Sequence, residues 1–245
     1  MRDERPNESV LELRQYTLHA GQRDVLIDLF EREFVESQEA VGMDLVGTFR
    51  DLDRPDHFVW IRSFPDMASR AKSLQAFYFG PVWQAHRETA NATMADSDNV
   101  LLLRPAGSGA GFAQPLMPRA PVGATARPDA RVLATIYSFD APVDGAFRRF
   151  FDHELTPALA EAGLAPIARL ETEPVENTFP RLPVRAGEHV FVWFARFDSA
   201  DALRAAEAQL AASPRWAALK AEFEKTLKSP PERLVLEPTA RSRLR

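Results

Sequence analysis

Arg14 and Tyr16 are the residues of this chain whose types and spacing most readily suggest chemistry. They lie two positions apart in the run Val10-Leu11-Glu12-Leu13-Arg14-Gln15-Tyr16-Thr17-Leu18, which reads as a strand. Period-two alternation puts both side chains on one face. A guanidinium beside a phenol can hold a carboxylate or an enolate, with the phenol as proton donor. His57 and His86 add imidazoles that titrate near neutral pH, so either could move a proton as a general base. A histidine on a helix, as His86 is read, could also ligate haem iron. Each candidate has a plainer alternative. Arg14 could pair with an acid such as Glu33, Tyr16 could fill a core, and an isolated histidine is commonly a surface or packing residue.

Other chemistries find little support. The chain has no cysteine, which removes thiol catalysis, disulfides and cysteine metal sites. No His-x-His, His-Glu-x-x-His or dense carboxylate loop suggests a metal. Gly107, Gly109 and Gly111 sit in a Pro/Gly-rich stretch rather than between a strand and a helix, so they make no phosphate cradle. No cofactor is expected. The formal net charge of −5, with arginines scattered among acids, argues against nucleic acid as a partner. No apolar run approaches the roughly 20 residues that span a bilayer. The start of the chain is charged and lacks an apolar signal region, so no membrane and a cytoplasmic location are expected. Hydrophobic content of 45% with 27% charged residues fits a globular protein.

The elements that must position these residues appear twice. Residues 56–64, Asp-His-Phe-Val-Trp-Ile-Arg-Ser-Phe, return as residues 189–197, His-Val-Phe-Val-Trp-Phe-Ala-Arg-Phe. An offset of 133 takes Phe58 to Phe191, Trp60 to Trp193, Phe64 to Phe197 and Trp83 to Trp216. Earlier in each copy the offset is 121, pairing Tyr16 with Tyr137, Phe30 with Phe151 and Gly42 with Gly163. The second copy therefore carries 12 extra residues between its second and third strands, within 173–183. Each copy reads strand, helix, strand, strand, helix, strand, which is the ferredoxin-like split βαβ pattern. Val25, Leu26, Leu29, Phe30 and Phe34 give the first helix its apolar stripe, and Gly42 reads as its left-handed cap. Residues 1–8 read as a disordered lead-in. Residues 106–130 form a Pro/Gly-rich linker, with Phe112, Leu116 and Met117 suggesting that it lies along a surface. The basic stretch from Thr239 onward reads as a frayed tail.

The run 11–18, then Gly21, then His57-Phe58-Val59-Trp60 with Phe64-Pro65-Asp66, and finally residues 98–105 together resemble the NIPSNAP domain. The second copy is similar but worn: it keeps Tyr137 and Trp193 and has Thr135 in place of Arg14. The resemblance implies a dimeric α/β barrel, two four-stranded sheets packed face to face with helices outside. Cofactor-independent monooxygenases, haem-degrading enzymes, chlorite dismutases and small isomerases share that fold. The NIPSNAP group has no agreed activity, so the resemblance implies a fold more than a reaction.

The expected fold is thus α+β, two tandem ferredoxin-like domains at 9–105 and 131–238 that form the barrel within one chain. In such folds the pocket lies between each sheet and its helices, where Arg14, Tyr16, His57, Trp60, Tyr78, Trp83 and His86 would stand. Trp60 and Trp83 recur in the second copy, which also suits a packing role. The second copy has Thr135, Val190, Ala211 and Leu219 at the positions of Arg14, His57, Tyr78 and His86. A single pocket in the first domain is therefore expected. The leading function is binding or transformation of a small hydrophobic or aromatic metabolite, of monooxygenase or isomerase type. A non-catalytic interaction or scaffold role and haem binding are the alternatives. Further pairing into a homo-oligomer of two-domain protomers is compatible with the fold.

Overall fold

The computed structural model describes residues 9–113 and 116–245, so the expected lead-in at 1–8 lies outside the described residues. β1 (Val10–Leu18), β2 (Asp44–Asp51) and β3 (His57–Phe64) are runs rich in β-branched and aromatic residues bounded by turns. Between β1 and β2 run α1 (Arg23–Leu29), a π-helical turn Phe30–Phe34 and α2 (Val35–Glu39). The π turn interrupts the expected continuous helix; Val25 is exposed, while Leu26, Phe30 and Phe34 stay buried. Gly42, at φ +93°, takes the expected left-handed conformation.

After β3, Asp66 caps α3 (Met67–Tyr78) by accepting from the Ser69 amide, and Pro81 opens α4 (Pro81–Thr93). A short β4 (Met94–Asp96) and β5 (Val100–Pro105) follow. The second half repeats the order: β6 (Arg131–Phe139), α5 (Gly145–Phe150), a π turn Phe151–Leu155, α6 (Thr156–Glu161), β7 (Ala168–Thr172), β8 (His189–Phe197), α7 (Ala200–Ala211), α8 (Pro214–Phe223) and β9 (Glu232–Pro238). Ser199 and Ser213 cap its last two long helices.

The strands form one antiparallel sheet that closes on itself. Their order is β3-β2-β9-β6-β8-β7-β5-β1, and β1 pairs back with β3. The halves meet edge to edge, at β2–β9 (Arg50 opposite Glu237) and at β5–β7 (Arg104 opposite Glu171). This corrects the picture of two sheets packed face to face. Closing the edges satisfies backbone groups that an open sheet would leave exposed. Leu13, Ile61, Leu103, Val132, Val192 and Leu236 belong to the interior cluster. Alternate residues face the helices and build two separate outer cores, one around Phe34, Phe58 and Trp60 and one around Phe151, Phe191 and Trp193. The strands are therefore apolar on both faces.

One segment behaves unlike its sequence reading. The last residues are not frayed: Thr239 and Ser242 are buried and Leu244 enters the interior cluster. Arg241 ion-pairs with Glu36, and Glu31 accepts from the Arg241 amide at 3.0 Å. Gly47 leaves room for this tail, because a Cβ there would stand 3.2 Å from Leu244 and 2.4 Å from the Phe49 ring. In the linker, Phe112 packs against Phe194 with ring centroids 5.0 Å apart, whereas Met117 is exposed. Among the described residues no helix is long and apolar enough to cross a membrane.

Candidate functional site

β1 turns Glu12, Arg14 and Tyr16 toward the helices, and β3 turns Trp60 and Arg62 to the same side. The register sets Glu12 opposite Arg62, Arg14 opposite Trp60 and Tyr16 opposite Phe58. α3 adds Arg70 and α2 adds Gln38. The result is a buried cluster of three guanidiniums around one carboxylate, and all four side chains are fully buried. Glu12 Oε2 accepts from Arg14 Nη1 and Arg62 Nε, both at 2.8 Å, and Glu12 Oε1 accepts from Arg70 Nε at 2.7 Å. Arg62 Nη1 donates to Gln38 Oε1 at 2.8 Å, and its guanidinium stacks over Trp60 at 4.9 Å.

The charge does not balance. Burial by itself pushes the Glu12 carboxyl up, but Arg62, Arg14 and Arg70 overcome it and hold the carboxyl far below the usual range. Burial works against the charge on Arg14, yet Tyr16 and Glu12 leave its guanidinium raised overall, so it stays protonated. One carboxylate thus faces three cations in a space without solvent. Arg14 Nη2, Arg70 Nη2 and Trp60 Nε1 are buried donors with no hydrogen-bond partner among the described residues. A buried cluster with surplus positive charge and idle donors is costly unless something electron-rich completes it.

Arg14 Nε donates to Tyr16 Oη at 3.0 Å, which leaves the phenolic proton free for another acceptor. Burial, opposed by the Arg14 charge, pushes the Tyr16 phenol up to about 12. The group is therefore a hydrogen-bond donor at neutral pH, not a phenolate. Tyr16, Trp60 and Gln38 line a cavity of about 30 Å³, with Phe34, Tyr78 and Trp83 among its other walls. Arg14 stands behind this cavity, 5.3 Å from the Tyr16 ring and 5.4 Å from the Trp60 ring.

The other half of the chain packs beside this cavity. The segment of extra residues between β7 and β8 crosses over as a strap. Arg70 Nη1 donates to Asn177 Oδ1 at 3.0 Å, and Phe179 stacks on Tyr78 with centroids 5.9 Å apart. Phe179 and Leu182 pack against the first half's outer core. Asn177 Nδ2 donates to the Leu182 carbonyl at 2.9 Å, which holds the strap's turn.

Of the residues the sequence suggested, Arg14, Tyr16, Trp60, Tyr78 and Trp83 come together. The histidines do not. His57 is out of phase with Trp60 on the strand and pairs opposite Thr17, so it belongs to the other face of the sheet. Its Nε2 lies 3.4 Å from Thr17 Oγ1, and burial together with Arg54 lowers its pKa. His86 is a third exposed, 3.6 Å from Glu33, with Phe34 beside it. His86 is not among the residues that line the cavity. The Arg14–Glu33 pairing is also corrected, since Glu33 binds Arg32 and His86 while Arg14 binds Glu12. Glu12, Gln38, Arg62 and Arg70 escaped the sequence reading. The signal that could have found them is charge at inward positions: Glu12 shares the phase of Arg14, and Arg62 that of Trp60.

The second half has a different hollow in the same place. A cleft of about 580 Å³ lies over Thr135, Tyr137 and Trp193, walled by Leu210, Trp216 and Phe223. A third hollow, about 520 Å³ beneath the strap, contains Arg104, Arg148 and Arg185. Each of these is matched to an acid, the first two to Glu171 and the last to Glu188.

No curated protein matches the chain. Among solved structures, a protein from Fusobacterium nucleatum provisionally named a monooxygenase is similar at 7% identity and a TM-score of 0.57, over 96% of this chain and 94% of that one. One from Lactobacillus acidophilus with the same provisional name shares 16% identity at a TM-score of 0.51, over 95% and 97% of the two chains. An anthrone oxidase-like protein shares 11% identity at a TM-score of 0.54, over 96% and 94%. At such identities the likeness shows the fold alone, an α/β barrel closed by an antiparallel sheet. Residues 11–108 match the NIPSNAP family.

Proposed function

We propose that the protein binds a small metabolite bearing an anionic or enolisable oxygen, in the first half between β1/β3 and their helices. The observation that carries this reading is the surplus of buried positive charge together with the idle donors Arg14 Nη2, Arg70 Nη2 and Trp60 Nε1. Tyr16, with a lone pair engaged by Arg14, would donate its proton to the ligand oxygen. A space of about 30 Å³ holds little more than such an oxygen, since one water-sized group needs about 10–15 Å³. The body of an aromatic ligand would take the place of Phe179 against Tyr78, so the strap opens to admit it. Donors that strengthen on an oxygen gaining charge suit an enolate-type step, as in a cofactor-independent oxygenation or isomerisation. Neither His57 nor His86 is placed to act as its base.

The two matching offsets, with Tyr16 opposite Phe58 and Tyr137 opposite Phe191, support reading 9–105 and 131–238 as repeated ferredoxin-like units. A second reading, a non-catalytic scaffold, is favoured by the Arg70–Asn177 bond, through which the cluster joins the two halves.

A metabolite-library thermal shift on wild type, Arg14→Ala and Tyr16→Phe separates the two. A ligand that raises the wild-type Tm and neither variant's supports the site. Equal shifts in all three proteins, or none with any carboxylate or enolisable compound, would leave the scaffold reading.

A further inference from the structure

We propose that the second half holds a separate binding site, for an uncharged flat aromatic ligand carrying one carbonyl oxygen. This goes beyond the first-half site and does not depend on it. The cleft of about 580 Å³ falls within the roughly 300–1,000 Å³ of ordinary ligand sites. It exists because side chains that fill the first half are cut back here: Thr135 stands in the place of Arg14, and Ala211 in that of Tyr78. The strap that packs on the first half is not among the residues lining it.

Its chemistry is specific. Trp193 Nε1 donates to Tyr137 Oη at 3.1 Å, which orients the phenol and leaves its proton without an acceptor among the described residues. Tyr137 is only 2% exposed and is among the residues that line the cleft. Burial pushes the phenol's pKa up, so the group remains a donor across the physiological range. A carbonyl oxygen is the partner that such a donor lacks. The aromatic walls, Trp193, Trp216 and Phe223, suit a flat ring system. Charge at the cleft is already matched, since Arg233 pairs with Glu207 and Lys220 lies 3.8 Å from Glu224. Nothing there is left over to neutralise an ionic ligand. This is the reverse of the first half, where cations outnumber the acid.

The test uses the full chain and the neutral naphthyl ketone prodan, whose emission reports both an apolar surrounding and a hydrogen bond to its carbonyl. One equivalent is expected to bind, with blue-shifted emission and quenching of tryptophan fluorescence. Ala211→Trp refills the cleft and is expected to weaken binding by at least about tenfold. Tyr137→Phe keeps the shape, removes the donor, and is expected to weaken it by about fivefold. The anion 2-naphthoate is expected to bind more weakly than prodan. Wild-type affinity in both variants would overturn the site, and so would tighter binding of 2-naphthoate. A protein dimer that dissociates as prodan binds would assign the cleft to a second copy and would equally overturn it.

Discussion

The two outer cores of this barrel share a backbone plan and differ in what fills it. In each half the tyrosine of the first strand stands opposite a phenylalanine, and a tryptophan follows two residues later on the partner strand. In the second half Trp193 and Tyr137 satisfy each other. In the first half Arg14 takes the tyrosine oxygen, and Trp60 Nε1 is left unpartnered. Glu12, Gln38, Arg62 and Arg70 are replaced in the second half by Leu133, Leu159, Ala195 and Leu203. A handful of substitutions thus turns an apolar cleft into a buried ionic centre. The frame tolerates both because its stability comes largely from the shared interior, where each buried Leu, Val or Ile contributes about 1.5–3 kcal/mol.

The sharpest way to break this comparison is Glu12→Gln. It leaves three buried guanidiniums without a carboxylate and is expected to destabilise the fold by about 3–5 kcal/mol in chemical denaturation. The pH dependence follows. Because the folded Glu12 carboxyl lies far below its unfolded value, the unfolded state binds more protons near that value. Its stabilisation is complete above the unfolded pKa of about 4.3 and falls away as pH drops below it. The wild type is expected to begin losing this increment as pH falls from about 4.3 to about 3, and Glu12→Gln is not.

Smaller effects sharpen the contrast. Tyr16→Phe strips Arg14 Nε of its acceptor and is expected to cost about 2 kcal/mol, since the orphaned donor is charged and buried. Tyr137→Phe orphans only the neutral Trp193 Nε1 and is expected to cost about 1 kcal/mol. Equal losses in the two variants would show that the first half's charge does not reach its tyrosine. His86→Ala removes a part-exposed contact with Glu33 and is expected to change stability by less than about 0.5 kcal/mol. A larger loss there, or a lost ligand, would put His86 back in the site.

The sequence by itself determined the local plan. Paired aromatic strands at offsets of 121 and 133 marked corresponding strands in the two halves, and Gly42 marked an element end, because caps and strand periods depend on neighbours a few residues apart. It also put Arg14 and Tyr16 on one face, for the same reason. It did not show that Glu12 sits among Arg14, Arg62 and Arg70, since that contact joins two strands and a helix across 58 residues. Nor did it place His57 on the opposite face from Tyr16, although strand phase carried that signal. Only the tertiary structure decided that the extra loop of one half packs on the other, that the basic tail is tucked against the barrel, and that the roomier cleft lies in the half with fewer polar groups. These depend on which surfaces meet when the barrel closes. Side chains such as Asn177, Phe179 and Arg241 carry no mark of their distant partners in the residues beside them.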